Sequence, residues 1–205
     1  MNLTKNELKK RCVNLSKSEI IEVTMHGRGG QTAITASQLL AELAYEKGFK
    51  DAIAIPIIGA ERRGAPIQAF TKLSKNKPIK TYDSVVNPHY IIVFDRSLLE
   101  IPRIQETIHD GVSILANSKE AFNTQKFGKN IKLFIVDATG ICIENQFMHS
   151  SGPILNIPML GAFGKITGYY DLKIMEKVIR KEFGEKRLEK NMSVAKSAYE
   201  LVKEV

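Results

Sequence analysis

The chain has 205 residues, enough for one domain with a real core or one domain with an appendage. Its apolar and charged fractions are those of an ordinary globular protein, and no apolar run approaches the roughly 18–20 residues of a membrane span. The net charge of +8, from 30 basic and 22 acidic residues, fits a nucleic acid, an acidic protein partner or an anionic ligand. It is spread over Lys5, Lys9, Lys10 and Arg11, over Lys72, Lys75, Lys77 and Lys80, and over a C-terminal third of alternating sign, which favours a plain solvated surface. The two cysteines, Cys12 and Cys142, lie far apart, so there is no disulfide scaffold and no CxxC or Cys/His cluster for zinc or iron–sulfur. Such cysteine usage reads as a reducing, cytoplasmic compartment, and the polar, Lys-rich N-terminus lacks the apolar core of a secretory signal.

In chain order, residues 1–18 read as an N-terminal arm, either a short helix on Leu3, Leu8 and Val13 or an ordered extension. Residues 19–205 read as one domain, helical from about 141. Ile20–Met25 is a strand apolar on both faces, as a strand inside a parallel sheet should be. It stops at a glycine cluster, Gly27-Arg28-Gly29-Gly30, and a helix then runs from Gln31 to about Tyr45, ended by Lys47-Gly48. Strand, glycine turn and helix N-terminus together suit an anion, because the first helical N–H groups are free and carry partial positive charge.

Asp51–Ile58 is a second strand. The loop Gly59-Ala60-Glu61-Arg62-Arg63-Gly64-Ala65-Pro66 follows, with charges between glycines. Ile67–Leu73 and Ile79–Tyr82, separated by Asn76-Lys77-Pro78, are expected to form an antiparallel hairpin. His89–Asp95, Val112–Ala116 and Ile131–Asp137 are further strands, with helices expected over Ile101–His109 and Lys119–Phe127. The alternation predicts a three-layer α/β/α domain with a mostly parallel sheet and right-handed crossovers. Asp95 and Asp137 end strands at the ligand-binding edge of such a sheet, but the preferred reading is that each caps the next helix. A short helix over Ile141–Phe147, a break at Ser150–Pro153, and helices Asn156–Thr167, Asp171–Phe183 and Glu185–Lys203 make up a helical C-terminal extension.

Familiar chemistries fit poorly. Gly27-x-Gly29 begins a dinucleotide fingerprint, but Thr32 occupies the third glycine position and the second strand ends without an acid. Gly164-Lys165 is followed by Ile166, which no phosphate-binding P-loop has. No nucleophile elbow accompanies His26, His89, His109 or His149, and His26 stands either as a site residue or as a hydrogen-bonding loop residue. The basic residues lack the interleaved aromatics of a nucleic-acid binder. An anion-capable glycine loop without a full catalytic set is natural for one subunit of a larger enzyme. The rival from another class is a stand-alone nucleotide- or CoA-binding regulatory module.

The motifs carry a resemblance. His26-Gly27-Arg28-Gly29-Gly30-Gln31, the loop Gly59–Pro66, and Asn156-Ile157-Pro158-Met159-Leu160-Gly161-Ala162 resemble, in order and spacing, three signatures of the gamma subunit of 2-oxoacid:ferredoxin oxidoreductases. Asn87–Val93 and Glu189-Lys190-Asn191 are similar to two more. Thr32 stands where that family has glycine; read as the second helical position, it narrows the gap to a ligand or adds a hydroxyl. The resemblance implies a subunit, inactive alone, of an enzyme that oxidatively decarboxylates a 2-oxoacid, with pyruvate as the expected one, to an acyl-CoA and CO2 and reduces ferredoxin. It implies thiamine diphosphate and iron–sulfur clusters on partner subunits of alpha, beta and delta type, with no cofactor bound by this chain alone, coenzyme A as co-substrate, and neither nucleic acid nor membrane as partner. On it, His26, Gly27, Arg28, Gly29, Gly30, Gln31, Glu61, Arg62, Arg63 and Gly64 face the shared site. The arginines suit phosphate or carboxylate, with a Glu61–arginine pair as the equal alternative. The oxoacid itself is left to partner chains.

Overall fold

A computed structural model describes residues 20–57, 63–127 and 130–205. The expected N-terminal arm, and Gly59, Ala60, Glu61 and Arg62 of the charged loop, lie outside them. Seven strands form one sheet in the order β2-β3-β1-β4-β5-β6-β9. Here β1 is Ile20–Arg28, β2 Asp51–Ile57, β3 Pro66–Ser74, β4 Tyr90–Val93, β5 Ser113–Asn117, β6 Lys132–Val136 and β9 Lys203–Glu204; β7 (Met148–His149) and β8 (Gly152–Pro153) pair separately. β1, β4, β5 and β6 are parallel neighbours, while β3 runs against both β1 and β2, and β9 against β6. Five of the seven strands therefore point one way, and the sheet is mostly parallel.

β1 sits near the middle of the sheet, and its alternation sorts side chains to two different layers. Ile21, Val23 and Met25 enter the larger core with Leu40, Leu43, Met159 and Phe163. That layer is built by α1 (Ala33–Glu46), α3 (Ala138–Glu144), α4 (Asn156–Thr167), α5 (Leu172–Phe183) and α6 (Glu185–Leu201). Helix α4 is buried on every side over Asn156–Gly164, which explains its apolar sequence. Its crossing of α6 is so close that a Cβ on Gly161 would lie 2.4 Å from the Ala195 carbonyl oxygen. The opposite face holds a smaller core of Ile91, Val93, Leu98, Leu99, Ile114 and Ile135.

The structure departs from the sequence expectations in several places. First, β1 does not stop at Met25; it continues through His26, Gly27 and Arg28, paired to Gln68, Ile67 and Pro66 of β3. Second, the hairpin of 67–73 with 79–82 does not form. Both edges of β3 are taken by β1 and β2, so 79–82 has no edge to join; Ile79 is buried instead, its N–H donating to Asp51 Oδ2 at 2.7 Å. Antiparallel pairing occurs instead in β1–β3, β2–β3, β6–β9 and the small β7–β8 unit.

Third, the crossover helices on the second face are short. A 3-10 turn (Arg96–Glu100) and a single-turn α2 (Pro102–Gln105) replace 101–109, and only a 3-10 turn at Gln125–Phe127 appears within 119–127. There, Ser118 Oγ donates to the Glu120 carbonyl and Asn123 Oδ1 accepts from Gln125 N–H, local bonds that compete with a helix. Fourth, the last helix ends at Leu201, because Lys203–Glu204 turns back as edge strand β9. The two strand-ending aspartates behave as expected: Asp95 accepts from Ser97 N–H at 2.9 Å and Asp137 from Gly140 N–H at 2.8 Å. The latter cap also starts α3 at Ala138, three residues before the expected Ile141.

Candidate functional site

β1 delivers the glycine motif to the edge where β1 and β4 end. Gly27 is still in the strand, and a Cβ there would meet Ala33 Cβ at 2.9 Å, so glycine lets the first turn of α1 lie against β1. Gln31 closes the turn: its N–H donates to the Arg28 carbonyl at 2.9 Å while its Oε1 accepts from Arg28 N–H at 2.8 Å. Gly30 has φ 98°, a left-handed conformation that glycine adopts without strain.

Thr32 is the N-cap of α1 rather than its second helical residue. Its φ is 60°, in the left-handed region, which explains why glycine suits this position and what Thr32 costs there. Its side chain makes no cap to its own helix; its Oγ1 accepts from Asn156 N–H at 3.0 Å, satisfying the start of α4. The N-termini of α1 and α4 thus converge at one edge.

The second loop is bound to the first by backbone. Gly29 N–H donates to the Ala65 carbonyl at 2.9 Å, and Gly64 N–H donates to the Gly29 carbonyl at 3.2 Å. Arg28 adds a side-chain hub. Its Nε donates to Asp95 Oδ2 at 2.6 Å, Nη2 to Ser97 Oγ at 2.8 Å and Nη1 to the Gly64 carbonyl at 3.1 Å. Burial pushes the Asp95 carboxyl up, but the bonds from Ser97 and Arg28 outweigh it and hold the group below the ordinary carboxylate value. Arg63 is exposed, and among the described residues its Nη2 reaches only the Ser151 carbonyl, at 3.5 Å. Ser151 also faces Gly30, at 3.7 Å from where a Cβ would stand.

The structure therefore brings together Arg28, Gly29, Gly30, Gln31, Arg63 and Gly64. His26 is set apart: it lies in β1, not on the turn, and is only 2% exposed. Burial, and secondarily the charge of Arg103, lower its pKa to about 4, so the imidazole is neutral at pH 7. Among the described residues its Nε2 has no hydrogen-bond partner, nor does Thr24 Oγ1 on the same face of β1. Sequence reasoning missed Ser97, Ser151 and Asn117. Asn117 Nδ2 ties the Phe94 carbonyl (3.0 Å) to Thr139 Oγ1 (2.9 Å) along the same edge. The Asp95-x-Ser97 spacing is an Asx-type turn signal that would have found Ser97; nothing local marks Ser151.

A groove of about 450 Å3 runs elsewhere, along Thr35–Glu42 of α1 against Ala52 and Ala54 of β2 and Phe183 of α5, and neither the glycine turn nor Arg63 lines it. Among the described residues no group of three or more His, Cys, Asp or Glu side chains could hold a metal ion. Cys142 is buried, and burial pushes its thiol up to about 12.

This geometry defines a class: an α/β domain that presents a glycine turn, an exposed arginine and two helix N-termini at the ligand-binding edge of its sheet. Comparison with known proteins makes it particular. The model of the pyruvate ferredoxin/flavodoxin oxidoreductase family matches residues 22–201. The pyruvate synthase subunit PorC of Methanothermobacter marburgensis is 39% identical over 90% of this chain and 98% of its own. The common gamma subunit of the pyruvate/ketoisovalerate oxidoreductases of Pyrococcus furiosus is 40% identical, over 88% and 96%. The crystal structure of the pyruvate oxidoreductase subunit PORC of Thermotoga maritima has a TM-score of 0.77 at 36% identity, over 91% of this chain and 99% of that one. A 2-oxoglutarate:ferredoxin oxidoreductase from Magnetococcus marinus, solved with 2-oxoglutarate, coenzyme A and succinyl-CoA bound, shares the fold at 15% identity, with a TM-score of 0.73 over 90% of this chain and 31% of that one. The chain belongs to the pyruvate ferredoxin/flavodoxin oxidoreductase family, as a gamma-type subunit.

Proposed function

We propose that this subunit forms one wall of a shared active site at which an oxoacid is converted to its acyl-CoA, and that the wall consists of Gly29, Gly30 and Gln31 with Arg63 and Gly64. Glu61 and Arg62, outside the described residues, belong to the same loop. The observation that carries this is the backbone pairing of Gly29 with Gly64 and Ala65, which sets an exposed Arg63 beside the glycine turn. A guanidinium fork and the N-terminal N–H groups of α1 are chemistry for phosphate or carboxylate, the anionic ends of coenzyme A and of an oxoacid. The subunit names of the relatives point to pyruvate as the oxoacid.

Oxidative decarboxylation needs an electron sink and carrier. Thiamine diphosphate and iron–sulfur clusters supply that chemistry, and in this reading alpha-, beta- and delta-type partner subunits hold them. Among the described residues no three or more His, Cys, Asp or Glu side chains cluster so as to hold a metal ion, and burial pushes the Cys142 thiol up to about 12. Ferredoxin takes the electrons through the assembled complex, in the cytoplasm. What this chain contributes is the binding and orientation of the anionic substrate.

Arg63→Ala in the assembled enzyme tests the reading. The expected result is a rise of about tenfold or more in the KM for coenzyme A, the effect of one lost charge-assisted hydrogen bond, with assembly intact. Unchanged KM and turnover would show that this loop does not face the site.

A further inference from the structure

Arg28 lies in the glycine motif, yet its half-buried side chain is tied to three different elements. A guanidinium offers five N–H donors in a rigid plane. Here Nε meets Asp95 at the end of β4, Nη2 meets Ser97 in the following 3-10 turn, and Nη1 meets the Gly64 carbonyl in the β2–β3 loop. The anchor is itself fixed, because Asp95 Oδ1 also accepts from Ser97 N–H at 2.9 Å and Ser97 Oγ at 2.7 Å. Gly64 is then held from both sides, its carbonyl by Arg28 and its N–H by the Gly29 carbonyl. It also has φ 80°, a left-handed conformation that glycine adopts without strain. Arg63, the preceding residue, has no comparable tether among the described residues, where its side chain's one hydrogen bond is the 3.5 Å approach to the Ser151 carbonyl. Its direction is therefore set by the Gly64 peptide.

We propose that Arg28 is a positioning residue, which with Asp95 and Ser97 clamps the Gly64 peptide and so aims Arg63, and does not itself bind the substrate. A lysine could keep the charge pair with Asp95 but, with one nitrogen, could not span the three acceptors. The kinetic consequence rests on the preceding reading of Arg63; the clamp itself does not.

Two measurements separate the two. In the full chain, trypsin cleavage of the Arg63–Gly64 bond, followed by mass spectrometry, should speed up about tenfold in both Arg28→Gln and Asp95→Asn, with Arg28→Lys between these and the parent. Asparagine still caps the 3-10 turn, so Asp95→Asn removes the charge pair and leaves the turn. In the assembled enzyme, Arg28→Gln and Asp95→Asn should each raise the KM for coenzyme A while kcat stays within about twofold, and Arg28→Gln should add nothing to Arg63→Ala. Unchanged cleavage in both variants overturns the clamp. So does a KM that rises in Arg28→Gln but stays at the parent value in Asp95→Asn, since that marks Arg28 as a direct ligand contact. If Arg63→Ala has a normal KM while both clamp variants still open the bond, the active-site reading fails and the positioning role stands.

Discussion

His26 is the residue whose surroundings depart furthest from its usual chemistry. Its ring is 2% exposed, and its pKa falls from 6.5 to about 4, chiefly by desolvation. The unfolded chain therefore binds a proton in a range where the folded chain does not, and stability must fall as pH drops from 6.5 toward 4. The single-site contribution amounts to about 2 kcal/mol between pH 7 and pH 5. His26→Gln should flatten that loss in urea titrations at the two pH values; equal losses in parent and variant would acquit the imidazole. Asp95 works in a lower window: its depressed pKa stabilises the fold above the ordinary carboxylate range and stops doing so as pH falls through the folded value. The two effects add on the acid side, and His26 dominates nearer neutrality.

Among the elements, α1 and α4 are coupled through Thr32. Its left-handed backbone costs about 1 kcal/mol relative to glycine, and its hydroxyl returns about as much by capping Asn156. Thr32→Gly should thus lie within about 0.5 kcal/mol of the parent, while Thr32→Ala, which keeps the strain and loses the bond, should cost about 1–2 kcal/mol in chemical denaturation. An alanine variant as stable as the glycine one would break this account. Element identity was largely legible in the sequence: α1, α4, α5 and the parallel strands follow from apolar spacing and cap residues. What was not legible depended on distant partners. The segment 79–82 reads as a strand until β2 and β1 occupy both sides of β3. His26 reads as a loop residue until β3 extends β1 past the first glycine. Lys203–Glu204 reads as helix until the edge of β6 offers it a partner.

At the scale of the whole molecule, the larger core fastens the C-terminal helices to the sheet, while exposed pairs such as Lys181–Glu42 and Lys177–Glu46 link α5 to α1 and add little stability. The candidate site was legible as motifs but not as an arrangement, because Arg28, Ser97 and Ser151 acquire their roles only through contacts between loops remote in sequence. A subunit that supplies one wall should be silent alone: the purified chain should reduce no ferredoxin with pyruvate and coenzyme A, and turnover should appear when the partner subunits are added. Turnover by the isolated chain would refute that. The reversed direction of β3 carries one further consequence, and it is entropic. Because β3 is antiparallel to β1, Arg28 faces Pro66 across a fixed register, and the two loops are the adjoining ends of a single strand pair. Their relative placement is therefore settled when the sheet folds, not when a molecule arrives. Whatever docks at this edge meets preorganised backbone and surrenders mainly its own freedom of motion.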